Sequence, residues 1–563
     1  MRRLLLIGFF ISTMLSTGFS QSASFIYKVK LTDKGNSVYT TSKPSDFLSA
    51  KSIERRLLQQ IPVNESDLPV NPGYIKSIEA SGAKVIYSSK WLNLLIISVD
   101  NRLIADAIAD KPFVRNIIPA DYLIKQNRVS SKKPFFDIER LDKHVLRSGS
   151  KRTRSSKELN YGASLNQAQM IKVDQLHEQG FLGNGMTIAV IDAGFNSANV
   201  LAAFDSLFTN GQILGTRDFV QPGNDVYNTS ISTHGMMVLS TMGGYLPGQL
   251  IGTAPKASYY LLRSEDAGSE YLMEEYYWVN AAEYADSVGV DIINSSLGYT
   301  EFDNPDENHV YGDMDGNTAV VTIGADMAAS KGILVVNSAG NSGNDPWLYI
   351  GAPADGDSVF TIGAVNPDGQ YAFFSSIGPT ADGRIKPDVS AQGVSTIVAT
   401  IPSGVGGGNG TSFSSPVMAG AAACLWQANP SFSNIELMNA IKMSGSQSSN
   451  PDNYKGWGIP DLMLAGNLLT SSQIQQEESF SKLTVFPIPF TDHLSVEVVS
   501  SSKLIADIKI ISTIGETVAE LIGVELNKGK NMIGFNQLDK LRNGLYMLQI
   551  SDGYFVITEK VVK

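Results

Sequence analysis

Gly406-Gly407-Gly408-Asn409-Gly410-Thr411-Ser412-Phe413-Ser414-Ser415-Pro416 runs straight into Val417-Met418-Ala419-Gly420-Ala421-Ala422-Ala423-Cys424-Leu425-Trp426. The first half is a glycine-rich loop. The second half is small, apolar and alanine-rich, which predicts a buried helix. Pro416 is expected in the first turn of that helix, where a missing N–H costs least. Ser412 then stands at the loop-to-helix junction, with its hydroxyl at the positive end of the helix dipole. Two readings fit that position: a helix cap, which serine favours, or a nucleophile.

Around this stretch, residues 161–466 have an α/β pattern. Met186-Thr187-Ile188-Ala189-Val190-Ile191 is a continuous apolar run, as are Ile292-Ile293-Asn294, Ile333-Leu334-Val335-Val336 and Val359-Phe360-Thr361-Ile362. Helical segments at 271–288 and 325–331 separate several of them. Buried strands alternating with helices predict a mostly parallel sheet with helices on both faces. In such sheets chemistry gathers at the carboxyl ends of the strands.

Three further residues stand out. Asp192 closes the first strand and is followed by Ala193-Gly194; it fits a catalytic carboxylate or a capping Asp in a turn. His234 is one of five histidines and opens an apolar, helix-like run in Thr233-His234-Gly235; it fits a base or a structural histidine. Asn341 lies in the glycine-rich turn Ala339-Gly340-Asn341-Ser342-Gly343 after a strand. It fits an amide donor to a developing oxyanion or an ordinary turn asparagine. The chain order is Asp, His, Asn, Ser, and Asp-His-Ser is one of the known triad orders.

With those motifs in place the segment 167–465 resembles the subtilisin-like serine proteases. Gly410-Thr411-Ser412-Phe413-Ser414-Ser415-Pro416 matches that family's Gly-Thr-Ser-x-x-x-Pro pattern, which is highly specific. Thr233-His234-Gly235 matches its histidine motif and Ala339-Gly340-Asn341 its oxyanion motif. Asn294-Ser295-Ser296-Leu297-Gly298 looks like its substrate-binding segment, and Gly252-Thr253-Ala254-Pro255 and Lys386-Pro387-Asp388-Val389 are further landmarks. The resemblance implies a secreted serine endopeptidase. Ser412 would be the nucleophile, His234 the base, Asp192 its orienting carboxylate and Asn341 an oxyanion donor. Ser296, Leu297 and Gly298 would pair with an extended substrate. Two departures stand out: the usual Asp-Ser/Thr-Gly is Asp192-Ala193-Gly194, and the usual His-Gly-Thr is His234-Gly235-Met236.

The flanks differ in kind. Residues 1–20 have a charged start, an apolar run and a small polar end, the pattern of a secretory signal peptide. Residues 21–125 alternate short strands and helices, a small α+β unit that contains no histidine. Residues 126–160 form a basic, serine-rich linker that includes Lys151-Arg152-Thr153-Arg154. The catalytic region is assigned to 161–470, a polar flexible linker to 471–479, and a small β-sandwich to 480–563. Residues 24–125 are similar to the inhibitory propeptide of the same family, which implies a zymogen. The end of the chain resembles the type IX secretion sorting domain through Val485-Phe486-Pro487-Ile488-Pro489-Phe490, Ile514-Gly515-Glu516, Asn527-Lys528-Gly529-Lys530-Asn531, Gly544-Leu545-Tyr546 and Lys560. That implies outer-membrane secretion machinery as a partner and a secreted or cell-surface location.

At 563 residues several domains are expected, and the net charge of -11 argues against nucleic acid as a partner. The single cysteine, Cys424, allows no intrachain disulfide and reads as a small core residue. Asp313-Met314-Asp315-Gly316-Asn317 has the flavour of a calcium loop, but Thr318-Ala319-Val320-Val321 follows where a closing glutamate would be needed. No metal or cofactor is assigned, and a structural calcium is left without support. Neither a His-Glu-x-x-His motif nor a Gly-x-Ser-x-Gly elbow is present, which counts against a zinc peptidase and an ordinary esterase. The expected partners are protein or peptide substrates, and the expected state is a monomer. The rival reading is a catalytically degenerate, surface-displayed binding protein on a protease fold.

Overall fold

The computed structural model describes residues 24–120, 159–500, 503–512, 517–551 and 556–563. The signal-peptide assignment and nearly all of the basic linker lie outside them. Among the described residues no helix is long and apolar enough to cross a membrane.

The N-terminal unit is a four-stranded antiparallel sheet with helices. Its strands are β1 (Phe25–Leu31), β2 (Lys84–Ser89), β3 (Leu94–Val99) and β4 (Val114–Pro119), in the order β2-β3-β1-β4. Helices α1 (Ala50–Leu58), α2 (Pro72–Glu79) and α3 (Arg102–Ala109) lie between them. The sequence pattern predicts one helix over 44–60 with a basic end at Arg55-Arg56, and the structure divides it. A 3-10 turn, Pro44–Asp46, comes first, and α1 begins only after Ser49, whose side chain accepts from the Ser52 N–H as an N-cap.

The central unit is a seven-stranded sheet in which every pairing is parallel. Its strands are β5 (Thr187–Asp192), β6 (Ile213–Asp218), β7 (Ser258–Arg263), β8 (Ile292–Ser295), β9 (Leu334–Ser338), β10 (Val359–Val365) and β11 (Val389–Gln392), in the order β11-β10-β9-β8-β5-β7-β6. Alternate residues of β5 enter different cores. Ile188 and Val190 join the one that contains the alanine-rich helix; Ala189 and Ile191 join the opposite one. That two-sided burial explains why the strand reads as an unbroken apolar run. From β5 the chain builds β6 and β7 on one side and then crosses to β8 on the other. The strand order therefore reverses at β5/β8, where α/β crevices form.

Four helices frame that crevice: α4 (His234–Gly243), α5 (Met273–Val288), α6 (Val320–Ser330) and α7 (Thr411–Ala428). α7 packs across β8, β9 and β10, while α5 and α6 pack together on the other face. α6 starts at Val320, five residues before the segment read from the sequence. α7 starts at Thr411, so Pro416 lies inside the helix rather than in its first turn. Cys424 is fully buried in that helix, and burial pushes its thiol well above the ordinary range. The 471–479 stretch, expected to be a flexible linker, continues helix α8 (Leu462–Ser479). It holds Gln and Glu and neither Gly nor Pro, so helix propensity carries the backbone on where the polarity suggested a loop.

The C-terminal unit has two antiparallel sheets. One holds β12 (Phe480–Phe486), β13 (Leu494–Ser500) and β16 (Gly529–Phe535). The other holds β14 (Leu504–Ser512), β15 (Thr517–Leu526), β17 (Leu545–Ser551) and β18 (Val556–Val562). Leu494, Val496 and Val498 of one face Ile508, Ile510 and Leu548 of the other in one core, as period-2 alternation requires.

The N-terminal unit sits on α5. Ile26, Tyr87, Leu94 and Ile96 share a core with Met273 and Tyr276. Beside it lies a buried ion network. Asp286 Oδ1 takes Arg55 at 2.7 Å and Arg56 at 2.8 Å, and its Oδ2 takes Lys90 at 2.9 Å. Burial alone would raise the Asp286 pKa, but Lys90, Arg56 and Arg55 hold its carboxyl well below the usual range. The basic end of α1 is thus an interface, where the sequence pattern read as an ordinary helix end. Glu283, one turn earlier on α5, accepts from the Lys90 and Trp91 N–H groups at 3.1 and 3.0 Å. Asp286→Asn should leave two buried arginines and the half-buried Lys90 short of their shared acceptor. Full-length protein should lose about 3–5 kcal/mol in urea unfolding of the contact, with residues 24–120 becoming the first to be cut in limited proteolysis.

Candidate functional site

Asp192 ends β5 with its side chain fully buried. Its Oδ1 accepts from the Ala193 N–H at 2.7 Å and lies 2.7 Å from His234 Nδ1. His234 is the first residue of α4; its N–H donates to Ser232 Oγ at 3.1 Å, and its ring is nearly buried. Gly235 permits that approach. A Cβ there would meet the Gly194 carbonyl at 2.6 Å and Asp192 Cβ at 2.9 Å, so any side chain would push the two elements apart.

Ser412 is the second residue of α7, and the N-cap is Gly410, at φ 147°. The capping reading of Ser412 therefore fails. Its Oγ is buried and makes no hydrogen bond among the described residues, that to His234 included. The ring of the next residue, Phe413, lies 6.2 Å from the His234 ring. The Ser412 carbonyl accepts from Ser296 Oγ at 3.0 Å, which joins α7 to the segment after β8.

Asn341 follows β9, and its Oδ1 accepts from both the N–H and the hydroxyl of Thr411, at 2.9 and 3.0 Å. The Thr411 hydroxyl in turn accepts from the Gly340 N–H at 3.2 Å. Two donors on the amide oxygen fix the whole amide and turn its nitrogen away from Thr411. Ser296, Leu297 and Gly298 continue from β8 toward the bridge between Tyr299 and Ala352. Leu297 is held through its carbonyl, which accepts from Asn337 Nδ2 at 3.1 Å.

All four single-residue candidates therefore meet at one end of the sheet, with the 296–298 segment alongside. Sequence reasoning missed what holds them. Arg263 ends β7 in register with Asp192. Its Nε donates to the Ala193 carbonyl at 3.2 Å, and its Nη1 pairs with Asp218 at 2.9 Å. Ser415 Oγ donates to Asn294 Oδ1 at 3.0 Å. Thr411 lies inside the quoted motif, but its tie to Asn341 spans 70 residues of chain, which no local pattern reports.

A cleft opens beside these residues, lined by Gly298, Gly340, Gly351, Trp347, Glu270 and Glu301. Glu265, Glu270 and Glu274 are buried close by, with carboxylate oxygens within 4.8 Å of one another. Tyr299 donates to Glu265 at 2.9 Å, and burial first, then the charges of Glu265, Glu274 and Glu270, raise its pKa well above the ordinary value. The acidic run suspected as a calcium loop serves local turns: Asp315 accepts from the Asn317 and Thr318 N–H groups, and Asp313 from that of Val310.

Known proteins are similar to successive parts of the chain. The Subtilase family model matches residues 183–458. A Peptidase S8 propeptide domain described for Bacteroidota matches 26–134, and a secretion system C-terminal sorting domain matches 484–563. Subtilisin NAT of Bacillus subtilis subsp. natto is 32% identical over 299 residues, covering 52% of this chain and 69% of that protein. Subtilisin of Bacillus pumilus is 31% identical over 299 residues, covering 52% of this chain and 96% of its own. Among solved structures, the prenylagaramide maturation protease PagA is similar at 20% identity and a TM-score of 0.42, covering 53% of this chain and 98% of that one. The chain belongs to the subtilase family of serine peptidases, with an S8 propeptide domain before the peptidase and a type IX sorting domain after it. The sorting domain marks it for secretion and export to the cell surface.

Thr411→Val keeps shape but removes the hydroxyl that serves Asn341 and Gly340. With the buried Gly340 N–H left unsatisfied, urea unfolding should show a loss of about 1–3 kcal/mol. Thr411→Ser, which retains the hydroxyl, should lose much less.

Proposed function

We propose that the protein is a secreted serine endopeptidase, made as a zymogen, that hydrolyses peptide bonds with Ser412 as nucleophile. The observation that carries this is the 2.7 Å contact of His234 with the buried Asp192 carboxylate, beside the unbonded Ser412 hydroxyl at the start of α7. A neutral serine needs a base. His234 Nε2 takes the Ser412 proton as Oγ attacks the carbonyl carbon, and later returns it to the leaving amine. Asp192 fixes the tautomer with Nδ1–H and stabilises the imidazolium without itself being protonated. The oxyanion is held by Asn341 Nδ2 and the Ser412 N–H at the helix start. Ser296, Leu297 and Gly298 pair with the extended substrate as an added strand. Complete reacting groups weigh against the rival reading of a degenerate binding protein.

Two substitutions test this reading. Ser412→Ala should abolish peptide hydrolysis and fluorophosphonate labelling while leaving the fold intact; turnover near wild type would remove Ser412 from the mechanism. Asn341→Ala should lower kcat by about 10²–10³ with a smaller change in KM, the size of loss found when an oxyanion donor is removed from subtilisin. A rise in KM at constant kcat would make Asn341 a binding residue instead.

The zymogen reading concerns residues 21–125. That unit carries no catalytic group and is anchored on α5 by Glu283 and Asp286. Ser412-dependent cleavage in the 126–160 linker should release it. In a host without native partners, the active protein should lose its N-terminal unit and the Ser412→Ala protein should keep it, as read by mass spectrometry of each N-terminus. Equal processing of both would assign the cut to an outside protease.

A further inference from the structure

The cleft beside the candidate nucleophile is bounded by two segments with defined positions. Gly298 ends the segment whose Ser296 is bonded to the Ser412 carbonyl, and Gly340 precedes Asn341. A substrate paired along 296–298, with its carbonyl oxygen at Asn341, directs the side chain just before the cut bond between these glycines. What that side chain meets decides specificity.

The walls are of two kinds. Trp347 and Tyr349 offer aromatic faces, while Glu270 and Glu301 offer carboxylates, Glu270 nearly buried and Glu301 exposed at the rim. Behind Glu270 stand Glu265 and Glu274. Three carboxylates this close repel one another when ionised, and a cation arriving beside them relieves that repulsion. Among the residues lining the cleft none is Lys or Arg. A long basic side chain suits both features: its methylene stem covers aromatic surface, and its charged head reaches the carboxylates. A carboxylate side chain would be repelled, and an apolar one would leave acidic groups without gain.

We infer that this cleft selects lysine or arginine at the residue preceding the cleaved bond, with Glu270 and Glu301 as the specificity-determining residues. The inference rests on the peptidase reading above. It also matches the chain's own junction. Between the propeptide and peptidase matches, which end at 134 and begin at 183, lies Lys151-Arg152-Thr153-Arg154. An acid-lined cleft makes this basic run a substrate for the protein itself.

The test uses the matured enzyme and fluorogenic peptides that differ only at the residue before the cut: Arg, Lys, Phe, Leu and Glu. Arg and Lys peptides should show kcat/KM at least about tenfold above Phe and Leu, with Glu poorest. Glu270→Gln and Glu301→Gln should each lower the Arg-to-Phe ratio, Glu270→Gln by about tenfold. The new N-terminus of the processed chain should follow a Lys or Arg. Fluorophosphonate labelling of Ser412 in each protein separates the two readings. Full labelling with a preference for Phe or Leu overturns the basic specificity and leaves the peptidase standing. Absent labelling and absent cleavage in the wild type overturn both. Should Glu270→Gln fail to fold, an unchanged Arg-to-Phe ratio in the rim variant Glu301→Gln overturns the assignment of these residues.

Discussion

Thr411 binds the Asn341 side chain through two bonds to one oxygen, at 2.9 and 3.0 Å, and the layout of the crevice depends on that tie. It joins the first residue of α7 to the turn after β9. The Thr411 hydroxyl also takes the Gly340 N–H, and Ser296 takes the Ser412 carbonyl on the other side. The helix start is thus bolted to the ends of two neighbouring parallel strands. Because these groups are buried, each bond is expensive to leave unmade, and the site gains rigidity from burial itself.

That design explains what the sequence disclosed. Continuous apolar runs announced a sheet buried on both faces, and the family's motifs around Asp192, His234, Asn341 and Ser412 pointed to one end of it. The residues that fix those groups were silent. Arg263 reads as one basic residue at the end of a strand, and its bond to the Ala193 carbonyl exists only because β5 and β7 pair in register. Helix limits failed for local reasons: glutamine and glutamate kept α8 helical where a linker was expected, and Ser49 capped α1 later than the pattern indicated. The charge of Arg55 and Arg56 was visible from the outset, but their burial was not, since their partner Asp286 lies 230 residues further along.

The contact between the N-terminal unit and α5 has a different character from the site. Its apolar part, Ile26, Tyr87 and Ile96 against Met273 and Tyr276, favours association in any medium that favours burial. Its ionic part adds orientation. One carboxylate, Asp286, collects three cations from two elements of the same unit, α1 and the turn after β2. A buried ion pair is weak evidence for net stability, but misplacing one partner is costly. The network therefore acts against alternative dockings more than it adds affinity.

The two departures from the family's motifs fall in places where the structure carries the load by other means. Without a hydroxyl at Ala193, the buried Asp192 Oδ2 has no hydrogen-bond partner among the described residues. Oδ1 meanwhile serves both the Ala193 N–H and His234. The turn that presents it is clamped from outside, since the guanidinium of Arg263 holds the Ala193 carbonyl and is itself held by Asp218. Met236 is 1% exposed and lies in the core that backs α4, so the change from threonine is a packing change two residues along the helix from His234. Neither substitution removes a group that exchanges a proton or forms a bond. What the first one costs is one acceptor without a protein partner among the described residues, about 1–3 kcal/mol for such a group. That cost falls on an oxygen whose partner oxygen still orients the histidine, so it bears on stability before it bears on chemistry.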